Sequence, residues 1–214
     1  MSAAKKKSPR REFKRSISKH SYRKIFLLSV EGTETEIQYF NIFNTKYSTV
    51  KVKYVDRKKY GSSPEQVLKD MEKELEQLQI KGLKNPDEAW LVVDKDKWSD
   101  EQLTELCQWA EDNTNDKYGF ALSNPKFEFW LLLHFEDGKK ISSAKICDEK
   151  LKRHLPNYNK NIDVKKITDE RIQDAINRAK QKDTPPCKKW PKRNGSTVYK
   201  LVENILAAQK TEEN

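Results

Sequence analysis

Two apolar runs constrain this chain more than any other feature: Lys24 to Val30 (KIFLLSV) and Ala89 to Val93 (AWLVV). Neither alternates polar with apolar residues, as a strand with one wet face would. Such short unbroken runs fit central strands covered on both faces, which belong to parallel sheets with helices on each side.

The intervening segments agree. Thr33 to Tyr47 carries Ile37, Phe40, Ile42 and Phe43 at helical spacing, with Thr33 or Thr35 available as cap. Val50 to Val55 (VKVKYV) alternates strictly, as a half-exposed strand does. Ser63-Pro64 opens a helix, with serine as N-cap and proline at the first helical position, and Gly82 closes it. Ser99-Asp100-Glu101 opens another, and Tyr118 to Leu122 (YGFAL) is a short strand. Ser123-Asn124-Pro125 then leads into a helix containing FEFWLLLHF, with Asn124 as its cap or, alternatively, as a second-tier site residue. This βαβαβαβα order predicts an α/β fold, a Rossmann-like parallel sheet flanked by helices. Helices near 142–154, 167–182 and 196–210 follow. The expected organisation is a disordered basic arm (1–22), an α/β core (23–138) and a helical, basic C-terminal extension packed on the core (139–214).

Charge divides the chain the same way. Residues 1–24 hold ten Lys/Arg and one acid; residues 25–140 hold 16 basic and 22 acidic groups; residues 141–200 hold 16 and 7. An acidic centre between basic flanks suits a metal-dependent protein acting on a polyanion, carboxylates holding cations and lysines holding phosphates. Three scattered cysteines without a CxxC pair argue against zinc or disulfides and fit a reducing cytoplasm. No apolar run reaches membrane-spanning length, so no membrane association is expected. No Walker-type GxxxxGK[ST] occurs.

Both apolar runs stop at acids, Glu31-Gly32 and Asp94-Lys95-Asp96. In a parallel α/β sheet, ligands bind beyond the carboxyl ends of the strands. Neighbouring strands lie roughly 5 Å apart, so Glu31, Asp94 and Asp96 converge if the two runs pair. On extended backbone, Asp94 and Asp96 point the same way. Clustered carboxylates repel unless a cation or proton intervenes, and hard oxygen ligands select Mg²⁺ or Mn²⁺. Gly32 allows a sharp turn and close approach of a ligand. Glu34 and Glu36 suit a positive helix end, Glu34 being also a candidate additional ligand. Glu128 sits in an otherwise apolar helix, where an unpaired carboxylate is costly; it should meet a cation or a metal, as a further ligand. His134, deeper in that helix, reads as a core histidine.

Lys95 and Lys97 flank the acids. A second basic group, Lys188, Lys189, Trp190, Lys192 and Arg193, occupies a Pro-rich loop. Lysines interleaved with an aromatic suit nucleic acid, charges on phosphate and the indole on a base; alternatively, Trp190 anchors the loop to the domain.

The pairing of "SVEGTETEIQYF" with "LVVDKDKW" resembles the Toprim fold, which carries a Glu after its first strand and an Asp-x-Asp after a later one. "SNPKFEFWLLLHF" and "NGSTVYKLVENI" narrow the resemblance to the RloB-like group, over about residues 24–205. The resemblance implies a general acid or base at Glu31, Mg²⁺ on Asp94 and Asp96, and a bacterial role in phage defence beside an AAA-type ATPase. Lys97-Trp98 depart from Toprim sequences that continue with a further acid, which leaves a second metal dependent on Glu128 or Glu34. The expected activity is metal-dependent cleavage of RNA or DNA. The alternative is a non-catalytic module that binds nucleic acid or a nucleotide and docks on the ATPase.

Overall fold

The computed structural model describes residues 23–32, 34–44, 49–56, 63–95, 98–113 and 117–210. The basic arm, Thr33, Asp96 and Lys97 lie outside them. The elements are β1 (Lys24–Val30), α1 (Thr35–Asn41), β2 (Val50–Tyr54), α2 (Pro64–Ile80), β3 (Glu88–Asp94), α3 (Asp100–Asp112), β4 (Tyr118–Asn124), α4 (Phe127–Leu133), α5 (Ala144–His154), α6 (Asp169–Lys182), β5 (Gly195–Ser196) and α7 (Val198–Lys210). The fold is α/β, and the sheet order is β2-β1-β3-β4-β5. The first four strands run parallel; the two-residue β5 pairs antiparallel with the end of β4.

The two apolar runs are the adjacent central strands β1 and β3, and their residues alternate between two cores. Phe26, Leu28, Val30, Trp90 and Val92 face the core shared with α1, α4, α5, α6 and α7. Leu27, Ala89, Leu91 and Val93 face the core shared with α2 and α3. Both faces are apolar because both are covered. Ser29, buried on the second face, donates its hydroxyl to the Val67 carbonyl at 2.7 Å.

Local capping explains the helix starts. Ser63 accepts from Gln66 N–H ahead of Pro64, and Ser99 forms a reciprocal capping box with Gln102. Three starts or ends differ from expectation. Thr35 does not cap α1; its hydroxyl lies between Tyr158 Oη and the Lys160 carbonyl, each at 3.1 Å. The helix expected to reach Tyr47 stops at Asn41, because the Asn44 side chain bonds both the N–H and the carbonyl of Val52 in β2. Asn124 ends β4 instead of capping α4: its side chain donates to the Pro191 carbonyl at 3.0 Å, and Lys126 occupies the cap position without a side-chain bond.

Candidate active site

Register brings the strand ends together. Val30 pairs with Val92, so the chain leaves β1 opposite the last turn of β3's pleat. The Glu31 N–H donates to the Val92 carbonyl at 2.9 Å, and the Asp94 N–H donates back to Glu31 Oε2 at 3.1 Å. Trp98 Nε1 donates to Glu31 Oε1 at 3.0 Å. The Glu31 carboxylate is thus held at both oxygens beside Asp94. Trp98 serves this orientation, a role its sequence position did not disclose.

A cavity of about 400 Å³ opens at this point, lined by Glu31, Gly32, Glu34, Thr35, Glu36, Asp94, Glu128 and Lys160. Glu34 is exposed at its rim, while Glu36 is buried. A Cβ on residue 32 would overlap Glu36 Oε2. Gly32 therefore leaves the space that the Glu36 carboxylate fills. Burial pushes the Glu36 carboxyl up to about 7, with Glu128 and Glu31 adding repulsion while its own backbone N–H and Lys160 oppose. Asp94 is also raised well above the usual carboxylate range, by burial first and then by Glu36, Glu31 and Glu128; the Phe127 N–H opposes.

Glu128 behaves differently. Burial works to raise it, but Lys126, Lys160 and a hydrogen bond from Tyr158 together hold it below the usual range. Tyr158 Oη donates to Glu128 Oε1 at 2.8 Å, Lys160 Nζ lies 3.1 Å from the same oxygen, and Lys126 Nζ is 3.7 Å from Oε2. The cations that Glu128 requires in its apolar helix are lysines.

Among the described residues, no group of three His, Cys, Asp or Glu side chains is placed to hold a metal ion. Asp96 lies outside those residues. The donors that do converge are all carboxylate oxygens, the chemistry that suits a hard divalent cation.

Lys95 and the basic loop lie along the same edge. Asp100 at the start of α3 joins them: Lys95 Nζ lies 3.2 Å from its Oδ1, and Lys192 Nζ 2.6 Å from its Oδ2. Lys188, Lys189, Lys192 and Arg193 are exposed, so the loop presents its charges. Trp190 does not join them as a base-stacking surface. It is 2% exposed and packs edge-on against Phe120 at 6.2 Å in the core shared with α2 and α3. An indole in that core gains far more from burial than from standing in water, and the loop folds over it. His134 is a buried residue bonded to Tyr39 Oη and the Trp130 carbonyl, and plays no part in the cavity.

Sequence reasoning missed Glu36, Tyr158 and Lys160 as site residues. The Gly32-x-x-x-Glu36 spacing was the available signal for the first, since a glycine one helical turn before an acid leaves room for it. Nothing local marks Tyr158 and Lys160, which come from the segment between α5 and α6.

The RloB-like protein model matches residues 26–205, most of the chain and all of this edge. The chain belongs to the RloB-like family. No curated protein and no solved structure matches it. Within this RloB-like chain, both strand-end acids and the helices that surround them fall inside the matched span. Among the described residues, no helix is long and apolar enough to cross a membrane.

Proposed function

We propose that this RloB-like chain is a divalent-metal-dependent phosphodiesterase of the Toprim type that cuts RNA or DNA, acting as an effector of phage defence. One observation supports the reading: Glu31, Glu36 and Asp94 line one cavity beyond the carboxyl ends of the adjacent parallel strands β1 and β3, with Glu36 raised by burial and by Glu128 and Glu31, and Asp94 by burial and by Glu36, Glu31 and Glu128. Such a cluster is a receptor for positive charge.

Asp94 and Asp96 would hold Mg²⁺ or Mn²⁺. A divalent ion held by them would supply Lewis-acid polarisation of the scissile phosphate and offset developing charge. Glu31 is oriented by the Asp94 N–H and the Trp98 indole, and takes the proton of the attacking water or returns one to the leaving oxygen. Glu36, raised by burial to about 7, exchanges its proton near neutral pH, so a cation arriving in the cavity would favour its charged form. Lys95, Lys97, Lys188, Lys189, Lys192 and Arg193 hold the strand by its phosphates.

Incubation of the purified protein with labelled tRNA, single-stranded DNA and plasmid, each with Mg²⁺, Mn²⁺ or EDTA, tests this. Metal-dependent products that vanish in EDTA and in Asp94→Ala are expected. Tight binding without products would mark a non-catalytic module instead, one suited to docking on an AAA-type ATPase.

A further inference from the structure

Five carboxylates and a single cationic side chain, Lys160, line the cavity among the described residues. A phosphate entering such a place needs positive charge from the protein as well as from any ion. We propose that Lys160 is the phosphate-contacting residue of this cavity, donating its ammonium hydrogens to a non-bridging oxygen of the substrate strand, and that Thr35, Gln38 and Glu128 position it. This rests on the phosphodiesterase reading of the same site.

The backbone is the first sign. Lys160 has φ 68°, in the left-handed region that costs a β-carbon-bearing residue on the order of 1 kcal/mol or more. Lys117 and Lys140 share that region, but only Lys160 of the three lines the acidic cavity. The conformation is gripped from α1. Thr35 Oγ1 donates to the Lys160 carbonyl at 3.1 Å, Gln38 Nε2 donates to Asn161 Oδ1 at 3.0 Å, and the Ile162 N–H donates to Gln38 Oε1 at 2.8 Å. Two polar side chains of the helix that follows Glu31 thus fix a segment more than 120 residues later. That tether sets Lys160 over the strand ends.

The side chain is the second sign. Lys126 and Lys160 both face Glu128, but in different states. Lys126 is 20% exposed and bound also to Asp148 at 2.8 Å. The Lys160 side chain is 61% exposed, and among the described residues its ammonium forms an ion pair with Glu128 Oε1 alone. Glu128 keeps Tyr158 and Lys126 if Lys160 turns away. The lysine can therefore swing from its resting partner to a phosphate at little cost to the buried acid. A compact ammonium on a flexible stem suits that movement.

Two readouts test this. In a Glu31→Gln background with Mn²⁺, fluorescence anisotropy follows binding of labelled single-stranded 12-mers of RNA and DNA across a KCl series. Adding Lys160→Ala should lower the slope of log K against log[salt] by about 0.7, one phosphate contact on a single strand, and Lys160→Arg should restore it. With Glu31 intact, Lys160→Ala should reduce kcat roughly 10²-fold, the typical loss of one aimed donor. An unchanged slope with a lowered Tm would overturn the proposal, leaving Lys160 as a counter-ion to Glu128. If the wild type cleaves no strand, the phosphodiesterase reading fails, while the salt slope still decides whether Lys160 touches phosphate.

Discussion

The acidic cavity and the basic loop at 187–194 lie along one edge of the sheet, and they distribute polarity in opposite ways. In the cavity, charged groups turn inward and are held by backbone amides, an indole and lysines. In the loop, the charges turn outward and the aromatic turns in. The difference lies in what each segment grows from. Glu31 and Asp94 end strands buried on both faces, so their backbone directions are fixed by pairing and their side chains must meet. The loop follows the end of α6, and its largest gain is to bury an indole; its lysines follow where that leaves them. Strand pairing gathers charge into a cavity, whereas the loop leaves its charge on the exposed surface.

This contrast can be broken at either region. The largest effect is expected at the cavity: Glu31→Gln should lower cleavage about 10² to 10⁴-fold, the range for losing a general acid or base, with an unchanged circular dichroism spectrum. Retained cleavage would remove Glu31 from the chemistry. At the loop, Trp190→Ala should cost about 3–5 kcal/mol in urea unfolding, as for other large buried aromatics. Affinity of the folded fraction for a labelled oligonucleotide should stay within a factor of two or so (roughly 0.4 kcal/mol). Lost affinity with full stability would mean that the indole meets a base after all.

A smaller and graded effect is expected from pH. In EDTA, Glu36 titrates near 7 in the folded chain against an ordinary 4.5. Its contribution to stability is full below about pH 4.5 and is lost as pH rises through 7, a change on the order of 3 kcal/mol. Asp94, also raised, acts in the same direction. Glu36→Gln should flatten this fall in denaturant melts between pH 5 and 8. A slope identical to wild type would show that the acid is not desolvated.

The features legible from sequence were those governed by local periodicity. The unbroken runs at 24–30 and 89–93 are β1 and β3, and Ser63-Pro64 and Ser99 open α2 and α3 as their chemistry dictates. The meeting of Glu31 with Asp94 followed from strand adjacency alone. Long-range competition hid the rest. Thr35 and Asn124 have the chemistry of caps, but each is taken by a partner more than 60 residues away. Glu36 has the pattern of a solvated first-turn acid, and only the space above Gly32 admits it to the interior. Trp190 in a basic loop satisfies two physical descriptions, and core packing against Phe120 decides between them. Lys160 depends on tertiary tethers to α1, for which no spacing rule exists.

The most direct test is Mn²⁺ binding, measured by calorimetry and by electron paramagnetic resonance at neutral pH without nucleic acid. One saturable site per chain is expected in the wild type, lost or weakened at least about tenfold (~1.4 kcal/mol) in Asp94→Asn with folding intact. Absence of binding in the wild type, or equal affinity in Asp94→Asn, would contradict a metal site at the meeting point of β1 and β3.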